Sequence, residues 1–138
     1  MVQENMDGIH AEGKDPREEK LEIVFQKLSQ SLKLPCDVRG REDFRWEESY
    51  IIGAGDLKKH TQLRQTRPSF LDTYELLGME NGICSEWMRF PFDIAAWVRR
   101  KSDGAEFVLG LVELTVVNQR TKNYKLLNEY SEWHDSNR

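Results

Sequence analysis

Two pairs of acids recur at matched positions in this chain of 138 residues. Asp37 lies in Leu34-Pro35-Cys36-Asp37-Val38, and Asp93 lies in Phe90-Pro91-Phe92-Asp93-Ile94. Asp56 follows Tyr50-Ile51-Ile52-Gly53, and Glu113 follows Phe107-Val108-Leu109-Gly110. Carboxylates that converge with backbone carbonyls make the hard oxygen sites that Ca²⁺ takes. A carboxylate pair also serves as general acid and base. If the two segments are copies, Asp37, Asp93, Asp56 and Glu113 form two equivalent pairs and are the candidate metal ligands. The plainer account has Asp37 and Asp93 bonding nearby backbone, with Asp56 and Glu113 as solvated strand ends. No EF-hand loop is present, since Asp103-Gly104 lacks the flanking ladder of acids.

Other chemistry is thinly represented. There is no phosphate-cradling glycine loop, no G-x-S-x-G elbow and no H-E-x-x-H. His10, His60 and His134 do not pair at helical spacing, so they read as three surface histidines rather than a zinc set. Cys36 stands where the second segment has Phe92 and reads as buried and inert. Cys84 would be a nucleophile only if the fold brought His60 or His134 beside it. A small enzyme using a carboxylate pair or Cys84 is therefore the catalytic alternative. Trp87, between Glu86 and Met88, is the candidate exposed contact anchor for a protein partner, with Arg99, Arg100 and Lys101 as a charged strand edge. Trp97 and Trp133 lie in apolar or helical patterns and read as core.

The elements that must position these groups follow from local chemistry. Asp15-Pro16-Arg17-Glu18 is a helix start, with Asp at the N-cap, Pro at N1 and Glu at N3. Leu21, Val24, Phe25, Leu28 and Leu32 then recur at helical spacing, which predicts a helix over 16–32 ending before Pro35. Beyond it the matched blocks repeat at offsets of 56, 57 and 56 residues, the third being Leu71-Asp72-Thr73-Tyr74 and Leu127-Asn128-Glu129-Tyr130. Each copy reads as strand, hairpin and helix. In the second, Phe90–Val98 is a strand, Ser102-Asp103-Gly104 a tight turn, Glu106–Val117 a long returning strand and Tyr124–Trp133 a helix capped by Asn118 or Asn123. In the first, the returning strand is Trp46–Ile52 and the helix Phe70–Leu77, with Gly78 just beyond its end. Gly53 and Gly110 share a repeat position and predict a bulge or bend.

Composition bounds the class. The chain is 38% apolar and 10% aromatic, enough for one core. Residues 1–14 are polar and aperiodic and read as a disordered leader, with 15–138 as one domain. No apolar run approaches the length of a membrane span, no signal peptide is visible, and two cysteines make no disulfide framework. The expected compartment is the cytoplasm. The net charge is −4 with no sustained basic stripe, which makes nucleic acid an unlikely partner. The expected fold is a single α+β domain, an N-terminal helix plus two tandem strand-hairpin-helix repeats (34–77 and 90–133) forming a twisted or barrel-like antiparallel sheet.

The stretch Phe90–His134 also carries a short F-P-F segment, a hairpin, a V-x-L-x-x-L strand end and a closing helix ending in Trp133-His134. In this it resembles the small calcium-binding proteins of the cyanobacterial CcbP type. The resemblance implies a soluble protein that binds Ca²⁺ through surface carboxylates rather than an EF-hand. It assigns no individual ligand here. The expected function is a non-enzymatic binding or regulatory protein, with Ca²⁺ as its sharpest ligand and a ligand-free protein interaction module as the alternative.

Overall fold

The computed structural model describes residues 15–52 and 55–138. The leader 1–14 and the bend expected at Gly53 lie outside the described residues. Helix α1 spans Pro16–Ser31. The side chain of Asp15 accepts the Arg17 N–H at 2.8 Å, so the N-cap works as its sequence requires. Then come β1 (Cys36–Gly40), a 3₁₀ turn (Arg45–Glu47), α2 (Glu48–Ile51), α3 (Leu57–Leu63), β2 (Thr73–Glu80), β3 (Ala95–Arg100) and β4 (Glu106–Gly110). A 3₁₀ turn at Leu111–Glu113 leads into β5 (Leu114–Val116), and α4 (Lys122–Asn137) closes the chain.

The five strands form one antiparallel sheet in the order β4-β3-β2-β1-β5. Its two edges, β4 and β5, are consecutive in the chain and joined only by the Leu111–Glu113 turn. In a flat sheet those edges would stand four strand spacings apart, roughly 19 Å. A single 3₁₀ turn advances only about 2 Å per residue. The sheet must therefore curl strongly, and it does so without a ladder closing β4 onto β5. Val38, Tyr74, Leu76, Ala96, Val98 and Leu109 point to the concave side and are buried with Leu21 and Leu28 of α1 and Leu127 and Tyr130 of α4. Each buried leucine contributes roughly 1.5–3 kcal/mol.

The long excursion between β1 and β2 is held by two polar hubs. Glu47 is fully buried. Its Oε1 accepts the N–H groups of Phe44 and Phe70, and its Oε2 accepts the Ser69 hydroxyl at 2.7 Å and meets His60 Nε2 at 2.7 Å. Arg100 is also buried and donates to the carbonyls of Arg64, Gln65 and Arg67 and to the carboxylates of Asp72 and Asp103. Buried charge is tolerated because every face of each group is bonded.

Several expectations are corrected. Residues 46–51 are helical, with Ile52 as the cap, and form no strand; Glu47 turns inward to collect donors. Residues 73–77 begin strand β2 rather than ending a helix, since Tyr74 and Leu76 alternate inward while Thr73 and Leu77 are exposed. Gly78 accordingly sits at a register shift in β2. Residues 90–94 form a loop before β3, and the stretch 106–117 is two strands on opposite sheet edges. Thr121, not either asparagine, caps α4 by accepting the Tyr124 N–H. The two matched segments thus fold into different elements. The hairpin β3–β4 is as expected, with Gly104 at φ +78° in its turn.

Candidate functional site

Two of the four expected acids meet, and the bend at Gly110 is where they do so. Residues 90–94 lie against α4, where the Phe92 ring stacks on His134 and packs on Trp133. His134 is buried, and its Nε2 donates to the Phe92 carbonyl. This fixes the backbone just before Asp93. The 3₁₀ turn after β4 then presents the Val112 N–H and the Glu113 side chain toward the same place.

Asp93 is 3% exposed. Its Oδ1 accepts the Tyr130 hydroxyl at 2.6 Å, the Ile94 N–H at 2.8 Å and the Val112 N–H at 3.2 Å, and its Oδ2 shares only the Val112 N–H at 3.3 Å. Glu113 Oε2 accepts the Arg89 N–H at 2.9 Å. A Cβ built on Gly110 would collide with both Asp93 Oδ2 and Glu113 Oε2. The two carboxylates therefore flank one point above that glycine, and only a residue without a side chain leaves room for them.

The electrostatics follow from burial. Desolvation pushes Asp93 up to about 7, against the bonds from Tyr130, Ile94 and Val112, and nearby Glu113 raises it further. Burial likewise raises Glu113, opposed by the Arg89 N–H and the Arg89 charge and reinforced by Glu42. Tyr130 is raised by burial and by Asp93, so its hydroxyl stays a donor. Two carboxyls with destabilised anions share a site that can hold a proton or a cation. The pair stands between two clefts. Asp93 lines one of about 600 Å³ with Arg17, Glu18, Phe92 and Cys84. Glu113 lines another of about 330 Å³ with Arg41, Arg89 and His134.

The other candidates fall elsewhere. Asp37 projects from β1 and pairs with Lys101 Nζ at 2.8 Å. Asp56 caps α3 by accepting the Lys59 N–H at 3.0 Å, so it is a helix cap and not a strand end. The expected equivalence of the two pairs is not reproduced. Among the described residues no three His, Cys, Asp or Glu side chains converge as a metal cluster. Cys84 is exposed, and His60 and His134 are buried on Glu47 and Phe92 rather than lying at the surface or beside the thiol. Cys36 is half-buried rather than buried, and burial pushes its thiol up.

The contact residues need more correction. Trp87 is half-buried, edge-on to Phe107 with centroids 6.4 Å apart, and is no exposed anchor. Strand β3 is interior to the sheet, so Arg99, Arg100 and Lys101 form no edge. Arg100 is the buried hub described above, while Arg99 is exposed and bonded to Glu75. Trp97, expected in the core, is 42% exposed on the convex face. The residues that sequence reasoning missed are Tyr130 and the Glu47–His60–Ser69 network. Tyr130 carried a faint signal as the last residue of the third matched block, whereas nothing local marks Glu47 as a buried acceptor. No family model, curated protein or solved structure matches this chain.

Proposed function

We propose that this protein is a non-enzymatic cation-binding protein that takes Ca²⁺ at Asp93 and Glu113. The observation that carries the reading is the convergence of these two carboxylates over Gly110, both held above their ordinary pKa by burial. Hard oxygen donors are what Ca²⁺ requires. Asp93 Oδ2 is only weakly engaged, whereas Oδ1 is taken by three donors. Glu113 would contribute its carboxylate beside it. Main-chain carbonyls and water would complete the roughly six to eight oxygens a calcium ion collects.

When bound, the cation would add positive charge directly between the two carboxylates, beside the Arg89 charge that already acts on Glu113. The residues of the chain prepare for it in three ways. Tyr130 and the Ile94 and Val112 N–H groups fix the Asp93 carboxyl in one orientation. Arg89 fixes Glu113 through its main-chain N–H rather than its guanidinium, which is bonded to Glu48 and the Asp43 carbonyl. Gly110 keeps the space between them clear. Asp37 and Asp56 have no part in this site, being committed to Lys101 and to the α3 cap.

Calorimetric titration of the chelator-stripped chain with Ca²⁺, with Mg²⁺ as the control, tests the proposal. Saturable Ca²⁺ binding at micromolar affinity or tighter supports it. A flat titration overturns it. Among the described residues no helix is long and apolar enough to cross a membrane, so no membrane span enters the proposal.

A further inference from the structure

The cleft that Glu113 lines also holds a guanidinium with charge to spare. The Arg41 N–H donates to the Glu113 carbonyl at 2.9 Å, so the two residues stand side by side, and both line this cleft of about 330 Å³. Arg41 Nη2 donates to the Leu127 carbonyl at 3.2 Å and to Asn128 Oδ1 at 2.9 Å, both neutral acceptors on α4. No carboxylate is bonded to it among the described residues. Burial lowers its pKa, and Tyr124 and Glu132 restore part of that through space. The other two arginines of the cleft are committed. Arg89 pairs with Glu48 at 2.8 Å, and Arg138 pairs with Asp135 and lies 5.0 Å from the centre of the Phe90 ring. Phe90 is half-buried and gives the cleft an apolar wall.

We propose that, with Ca²⁺ in place, this cleft binds a small organic monocarboxylate between the cation and Arg41. The inference rests on the calcium reading and extends it. Five acids and three arginines line the cleft, so with all of them ionised it is negative by two and repels an anion. A doubly charged cation at Glu113 offsets that excess. Two side chains cannot fill the roughly six to eight oxygen positions around Ca²⁺, so a ligand carboxylate has room to enter in place of water. Its second oxygen would meet Arg41, whose planar fork suits a carboxylate. One spare guanidinium matches one negative charge, whereas a phosphate dianion would call for a second. The cleft lies at the small end of ligand-sized cavities, and Phe90 offers its ring to the organic body.

Calorimetric titration with sodium benzoate tests it, on the full chain stripped of metal by resin and then either saturated with Ca²⁺ or left without. Benzoate should bind the calcium-loaded chain about tenfold or more tighter than the metal-free chain. Benzamide, the same body without the charge, should not bind. Arg41→Gln should bind Ca²⁺ as the wild type does, which also shows that it is folded, yet lose affinity for benzoate by about tenfold or more. Benzoate that binds equally with and without Ca²⁺ overturns the proposal. So does benzamide that binds as well as benzoate, or an Arg41→Gln chain that holds benzoate as tightly as the wild type. Saturable calcium binding without benzoate binding overturns this proposal alone, whereas a chain that binds no Ca²⁺ overturns the calcium reading with it.

Discussion

The Tyr130 hydroxyl donates to Asp93 Oδ1 at 2.6 Å and ties α4 to the loop that enters β3. The same hydroxyl oxygen lies 3.1 Å from the Ile94 nitrogen, which donates to it as well as to Asp93. Tyr130→Phe removes the one side-chain donor to Asp93 among the described residues and leaves a buried carboxylate oxygen short of a partner. The expected cost is about 1–3 kcal/mol, read by urea denaturation at neutral pH. A variant as stable as the wild type would show that the bond is incidental.

Asp93 should take stability from the cation-free chain as pH rises, while His134, held below its ordinary value, acts in the opposite sense. In the folded state Asp93 keeps its proton up to about 7, whereas the ordinary value is 3.8. Between those limits the folded chain binds the extra proton, so stability falls with rising pH across the window and levels off above it. Asp93→Asn should flatten this dependence, because its side chain stays neutral throughout. Thermal melts in chelator from pH 4 to pH 8 check it. A wild type and variant with parallel profiles would refute the assignment.

Gly110→Ala should be costly although the substitution is small. The new methyl meets the buried Asp93 carboxylate, which three donors hold in place, and the half-buried end of Glu113. Overpacking of this kind costs about 1–3 kcal/mol, and the variant should also lose any cation binding. Gly78→Ala, where space is open, should lower stability far less. Parallel denaturation curves for the two variants compare them directly, and equal losses would contradict the account of the bend.

Glu47→Ala should unlock the β1–β2 excursion. It strands the Ser69 hydroxyl, the His60 ring and the N–H groups of Phe44 and Phe70 in a buried place. Removing one partner from such a network costs about 3–5 kcal/mol. Hydrogen exchange should quicken first in α3 and the turn that follows it, ahead of β3 and β4. Uniform quickening across the sheet would show instead that the hub is part of the global core.

Legibility in the sequence divided along physical lines. Helix α1 was readable because Asp15, Pro16 and Glu18 act within one turn, and the β3–β4 hairpin because Asp103-Gly104 demands a tight turn. The excursion was not readable. Leu71, Tyr74 and Leu77 sit at helical spacing, and that pattern hid the period-two burial of Tyr74 and Leu76 in β2. Glu47 looks like any surface acid until Phe44, Ser69, Phe70 and His60 close around it. Of the four acids in the matched blocks, Asp93 and Glu113 come together at Gly110, whereas Asp37 and Asp56 do not join them. Tyr130 bonds Asp93, whereas its counterpart Tyr74 bonds Ser69, so equal positions in the text do not carry equal partners.

The most direct test of the cation site is to locate the binding by variant. Calcium titrations of Asp93→Asn and Glu113→Gln should lose the saturable heat, while Asp37→Asn and Asp56→Asn should retain it at wild-type affinity. Binding that survives in the first pair, or that disappears in the second, would contradict the assignment of the site to the two carboxylates over Gly110.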